Sequence, residues 1–160
     1  MFGQASELAQ GIGNYGERTW GREYELRRSE LQRFWQFLAR GRRWRLLARL
    51  LRRPVDLRTL EGAAGNGRSH YAGIQNVPLA AITGSEDREH DFDAAFHPRK
   101  AGMVDRWVSV AMARQRGVAL PPVQLIRVGE TYYVRDGHHR ISVARALGQD
   151  SIEAEVIAWI

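Results

Sequence analysis

The chain has 160 residues, 26% of them charged and 44% hydrophobic, enough for one compact domain with an extension and too few for two full domains. Its formal charge is +6 and it contains no cysteine, which excludes disulfides, thiolate nucleophiles and Cys-ligated zinc. No apolar run approaches a bilayer span and the N-terminus lacks a signal-peptide core, so a cytoplasmic protein without a membrane span is expected.

In chain order, residues 1–21 carry Gly3, Gly11, Gly13, Gly16 and Gly21 without sustained periodicity and are expected to be flexible. Residues 22–55 read as a basic helical extension. Leu31, Phe34, Trp35 and Leu38 lie at helical spacing, as do Trp44, Leu47, Leu50 and Leu51. Gly41 separates the two sets, giving either two helices or one with a weak point, and Pro54 ends the run. Arg40, Arg42, Arg43, Arg45, Arg49, Arg52 and Arg53 are interleaved with these apolar residues. One face of such a helix is basic, which suits nucleic acid (DNA or RNA), an anionic membrane surface, pairing in a homodimer, or plain solvation. Residues 56–73 read as a linker, and the His70-Tyr71 pair within it is assigned no role.

Residues 74–160 should form the folded domain. Val77 to Ile82 read as an edge strand, because Pro78 would cost a central strand one ladder bond. Residues 84–100 are polar and expected as a loop. Val104, Trp107, Val108, Ala111 and Met112 follow the period of an amphipathic helix, capped by Gly117, with Trp107 in the core. Residues 123–128 and 131–135 are strands joined by a Gly129-Glu130 turn, and residues 152–160 alternate as a final strand.

Between the hairpin and that last strand lie Asp136, Gly137, His138, His139 and Arg140, followed by a helical run that Gly148 closes. A strand, a glycine turn and a new helix place unpaired N–H groups at the positive end of a dipole, the outline of an anion site. Arg140 adds a planar fork of donors suited to phosphate. For Asp136 the choices are a helix cap, a partner fixing a histidine tautomer, or a ligand to a nucleotide-borne metal. The alternative for the whole turn is a solvated strand-to-helix connection. His90, Asp91, Asp93 and His97 match no defined metal-ligand spacing, so no metal site is expected. Arg88, Arg99 and Lys100 either add charge at the pocket mouth or balance local acids.

The run at residues 121–157, PPVQLIRVGETYYVRDGHHRISVARALGQDSIEAEVI, resembles the core of the ParB/sulfiredoxin superfamily, and the likeness extends over residues 77–157. It implies an α/β (α+β) fold, a small mixed sheet with short helices, here preceded by the basic amphipathic helices. In ParB partition proteins the turn is Gly-Glu-Arg-Arg and binds nucleotide phosphates. In sulfiredoxins it is Gly-Cys-His-Arg with a catalytic Cys, and in free serine kinases, the nearest in motif, it is close to Asp-Gly-His-x-Arg. His138 stands where the sulfiredoxin Cys would be, which excludes that sulfinic acid chemistry. The Glu-Arg of the ParB box is absent, which leaves the base of the nucleotide open. The resemblance implies a nucleotide, with or without Mg2+, held by residues 136–140 together with Ser85 and Arg88. It also implies a candidate base, Glu86, four residues after Ile82, where the serine kinases carry the acid that activates the acceptor hydroxyl. Three functions follow: a nucleotide-binding module brought to DNA or a partner by its basic helices, a small-molecule phosphotransferase, or a scaffold that keeps only the fold.

Overall fold

The computed structural model describes residues 4–62 and 68–160, the side chains of residues 4–18 excepted. Its elements are α1 (Gln4–Leu50), β1 (Arg58–Thr59), β2 (Ser69–Pro78), β3 (Ile82–Ser85), α2 (Val104–Gln115), β4 (Val123–Val128), β5 (Thr131–Asp136), α3 (His138–Ala146) and β6 (Ser151–Trp159). The strands form one mixed sheet in the order β1-β3-β5-β4-β6-β2. β4 pairs antiparallel with β5 across the Gly129-Glu130 turn and parallel with β6 on its other side. The mixed α/β class read from the sequence is the class observed.

Several boundaries differ from the sequence reading. The helix runs from Gln4 and takes in residues 4–21 of the stretch expected to be flexible, residues 1–3 lying outside the described residues. Each interior glycine costs about 1 kcal/mol against alanine, but once a helix has nucleated every further residue adds a hydrogen bond. Nor does Gly41 divide it. A Cβ there would lie 2.5 Å from the Cβ of His97, so this glycine lets α1 approach the core closely instead of weakening the helix. The expected linker is partly structured: Arg58 and Thr59 pair in parallel with Gly84 and Ser85, and β2 begins at Ser69. Residues 63–67 of that segment lie outside the described residues. Pro78 is the last residue of β2, which does lie at a sheet edge, while Ile82 opens the separate strand β3. β2 pairs with β6 alone and is interrupted by a bulge between Tyr71 and Gly73.

The three helices end alike. Val118 N–H reaches Ala113 O at 3.0 Å, Gln149 N–H reaches Ala144 O at 3.0 Å, and Arg53 N–H reaches Ala48 O at 2.8 Å. These are the six-to-one bonds of Schellman caps, with Gly117, Gly148 and Arg52 at positive φ. Pro54 follows two residues after Arg52, where it cannot prolong the helix.

The main core joins the sheet to α3 and to residues 92–96: Leu125, Val134, Ile141, Ala144, Phe92 and Phe96 are all fully or almost fully buried in it. A second cluster stacks α1 on α2 and α3 through Phe34, Phe37, Leu38, Trp107, Ala111 and Val143. Trp107 is a core residue, as expected; its indole N–H donates to Ser142 Oγ at 3.0 Å and its ring meets Phe34 edge-on at 5.6 Å. Among the described residues no helix is long and apolar enough to cross a membrane.

Candidate anion-binding site at the start of α3

β5 delivers the chain to Gly137, whose φ of 102° and ψ of 19° turn it directly into α3. A side chain there would meet Val123 Cγ1 at 2.5 Å, so the tight turn requires glycine on both counts. Ile141 N–H closes the first helical bond onto Gly137 O at 3.0 Å. The N–H groups before it have no acceptor within the helix and lie at the positive end of its dipole. Beside them is a cavity of about 310 Å³. Arg88, Arg106, Arg135 and Arg140 line it with His138 and His139, and Asp87 and Asp136 complete the polar wall.

The sequence candidates take different places here. His138 and His139 are buried. Ser85 is fully buried as well, and its Oγ lies 2.8 Å from His138 Nε2. The same oxygen accepts the N–H groups of Arg88 at 2.9 Å and Asp87 at 3.3 Å. With both lone pairs so engaged the hydroxyl proton is left for His138 Nε2, which places the imidazole proton on Nδ1. Ser85 therefore orients His138 and fixes the loop behind it.

Arg140 does not extend into the cavity as an unattached fork. Its Nη2 donates to Asp136 Oδ2 at 2.6 Å, and its Nη1 to the carbonyl of Pro122 at 2.9 Å and to that of Pro121. It ties the segment before β4 to the turn. Asp136 in turn is Arg140's partner, and α3 has no side-chain cap. Glu86 is held by Arg135, with Nε to Oε2 at 3.0 Å and Nη2 to Oε1 at 3.3 Å. Of the three basic residues proposed for the mouth, only Arg88 lines the cavity; Arg99 pairs with Asp56 and Lys100 with Asp91. Arg106 and Arg135 were missed by sequence reasoning. Arg106 gave one signal, its place on the polar face of the α2 pattern, and it has no ion-pair partner among the described residues.

Beyond the end of β3, residues 86–100 form the loop expected, but part of it is packed into the core. Phe92, Asp93, Phe96 and His97 are buried. Asp93 accepts Arg45 Nη1 at 3.0 Å, the N–H groups of Ala95 and His97 at 3.0 Å each, and His97 Nδ1 at 3.1 Å. This binds α1 to the loop and withdraws Arg45 from the set proposed to meet nucleic acid. Arg42, Arg43, Arg49, Arg52 and Arg53 remain exposed. Leu47, Leu50 and Leu51, read at helical spacing, are exposed too, because α1 turns Phe34, Phe37, Leu38 and Ala48 to the core. Among the described residues no three His, Cys, Asp or Glu side chains stand close enough to hold a metal ion.

Burial sets the electrostatics of the pocket. It pushes His138 down to about 4, with the Arg88 guanidinium adding to the effect. His139 is likewise pushed down to about 4 by burial, then by Arg106 and Arg88. Both imidazoles are neutral near pH 7. Lys100, hydrogen-bonded to Asp91, keeps that carboxyl below its usual range, and Asp91 in turn lies 3.6 Å from Arg88.

A stability profile follows. The unfolded chain takes up protons at ordinary imidazole values before the folded one does, so stability is full above about pH 6.5 and declines as pH falls toward 4. At pH 5 the expected loss is about 2 kcal/mol per imidazole. Urea midpoints at pH 7 and pH 5 measure it, and His139→Asn should flatten the dependence; equal midpoints for the wild type would contradict neutral burial.

No protein-family model matches the chain, and no curated protein matches it. Among solved structures it is similar to sulfiredoxin from Arabidopsis thaliana, at 22% identity over 52% of this chain and 82% of that one, with a TM-score of 0.39.

Proposed function

We propose that the chain is a nucleotide-binding module of ParB/sulfiredoxin type that holds its ligand's phosphates at the start of α3. The observation that carries this reading is the convergence of Arg88 and Arg106 on a helix N-terminus opened by a left-handed glycine, around one cavity. Unpaired main-chain N–H groups, the helix dipole and guanidinium donors together make an anion site that none of them makes alone. Asp87 and Asp136 are the wall carboxylates that would meet an Mg2+ ion carried in by a nucleotide.

Titration of the protein with nucleoside mono-, di- and triphosphates, with and without Mg2+, tests the reading. A ligand of the native state raises the melting temperature in a concentration-dependent way. Arg106→Ala should weaken binding by about 1.5–3 kcal/mol, the range for a hydrogen bond to a charged group. Its own stability should be unchanged, since the side chain is exposed. Equal affinities would remove Arg106 from the site, and no binding by any nucleotide would remove the reading.

A phosphotransferase with Glu86 as base is the second reading, favoured by one observation: Arg135, the ion-pair partner of Glu86, lines the cavity. A positioned base contributes ~10²–10⁴-fold to rate. In the same titrations, Glu86→Gln should leave nucleotide affinity unchanged and abolish any phosphorylated product formed from free serine or related hydroxyl compounds. Binding without turnover returns the protein to the module reading.

A further inference from the structure

The outer side of α1 has no counterpart in the core. Trp20 (78% exposed), Tyr24 (65%), Trp35 (47%), Leu46 (63%) and Leu50 (82%) all face solvent. At 3.6 residues per turn these five fall within an arc of about 120°, a stripe along some 45 Å of helix at ~1.5 Å per residue. Leu47 and Leu51 are exposed beside its C-terminal end. Arg28, Arg42 and Arg49 fall within the same arc, so the apolar side chains are interleaved with cations, and exposed apolar side chains rimmed by polar ones mark an interaction site.

Charge identifies the partner. Between Glu30 and Asp56 the sequence has no acidic residue. Arg42, Arg43, Arg49, Arg52 and Arg53 are exposed there, and none has an ion-pair partner among the described residues. Arg42 and Arg49 frame Leu46 in a shallow groove on the helix. The partner must therefore be anionic and must also accept inserted aliphatic and aromatic side chains. A nucleic acid meets the first requirement and leaves the leucines against a polar sugar-phosphate surface. A second copy meets the second requirement and fails the first. It would set Arg42 against itself in a parallel pair, and against Arg28 in an antiparallel pair centred on Trp35.

We propose that this face of α1 is a docking surface for an anionic lipid bilayer. The helix lies in the headgroup plane with Leu46, Leu47, Leu50 and Leu51 in the acyl boundary and the arginines on lipid phosphates. Such a helix buries one apolar side and reaches outward with its long cationic side chains. Trp20, Tyr24 and Trp35 have the amphipathic rings favoured at that depth. The surface is separate from the α3 cavity and stands whether or not that cavity takes a nucleotide.

The test uses the full chain with phosphatidylglycerol vesicles, phosphatidylcholine vesicles and duplex DNA, read by co-sedimentation and tryptophan emission. The expected result is binding to the phosphatidylglycerol vesicles with a blue shift, and little binding to phosphatidylcholine. Leu46→Ser with Leu50→Ser should lower the vesicle affinity by on the order of tenfold or more at an unchanged melting temperature. Arg42→Glu with Arg43→Glu should abolish binding. Any of three results overturns the proposal: no association with anionic vesicles, DNA binding alone that is indifferent to the leucine changes, or a dimer in solution that the leucine changes dissociate while vesicle binding is nil.

Discussion

Replacing Asp93 by alanine is expected to destabilise the protein by about 3–5 kcal/mol, the range for removing one partner of a buried ion pair. Asp93 is completely buried and its carboxylate serves Arg45, His97 and two main-chain N–H groups at once. Without it the Arg45 guanidinium, itself only 16% exposed, remains beside a desolvated hole. The reverse change should be milder. In Arg45→Met the aliphatic stem is retained and the carboxylate keeps its N–H donors, so a smaller loss, about 1–3 kcal/mol, is expected. Urea unfolding of the two variants measures the asymmetry. Equal, small losses would mean that Asp93 is not the post on which α1 is fastened. Because α1 meets this loop through the close Gly41–His97 approach, the Phe37 and Trp44 rings on His97 and the Arg45–Asp93 pair, and Asp93 holds both Arg45 and His97, Asp93→Ala should also raise protease sensitivity within residues 40–55.

Gly137→Ala is expected to cost about 2–6 kcal/mol and, on the proposed function, to abolish anion binding. Two effects add: a φ of 102° that alanine rarely adopts, about 1–3 kcal/mol, and a Cβ 2.5 Å from Val123 Cγ1 in a packed core, another ~1–3 kcal/mol. A double-mutant cycle with Val123→Ala separates them. Removing the Val123 methyls relieves the contact and leaves the dihedral strain, so the two changes should couple favourably and incompletely. Additive losses would show that the backbone moves away from Val123 on its own. Anion affinity reads a different quantity, the aim of the first N–H groups of α3. It should stay lost even where stability is partly regained.

The parts of the fold that were legible in the sequence are those fixed by neighbours along the chain. The hairpin around Gly129-Glu130, the amphipathic period of α2, the glycine at each of two helix ends and the turn at Gly137 all declare themselves within a few residues. Much of what was not legible depends on partners distant in the chain. Nothing near Glu86 announces Arg135 as its partner, and nothing near Arg45 announces Asp93. Arg140 was readable as a cation at the right place. Its occupation was not: Asp136, four residues away, had several roles open to it, and the Pro121 and Pro122 carbonyls arrive from the segment before β4. The leucines of α1 teach the converse. Periodicity reveals that an apolar face exists but carries no information on whether the fold covers it, and here α2 and α3 engage only Phe34, Phe37, Leu38 and their neighbours.

The bulge in β2 bears on how the protein behaves when it is concentrated. β2 is a ten-residue margin of the sheet, with Tyr71 and Ile74 open to solvent, and its outer main-chain groups are a template on which another chain's strand can add. The irregularity between Tyr71 and Gly73 twists that row out of register, and Pro78 withholds a donor at its far end. The flat stretch left for edge-to-edge growth is thus shorter than the strand. Those two interruptions work against fibril growth along this edge, and straightening β2 would trade a more regular sheet for a longer template on which copies can add.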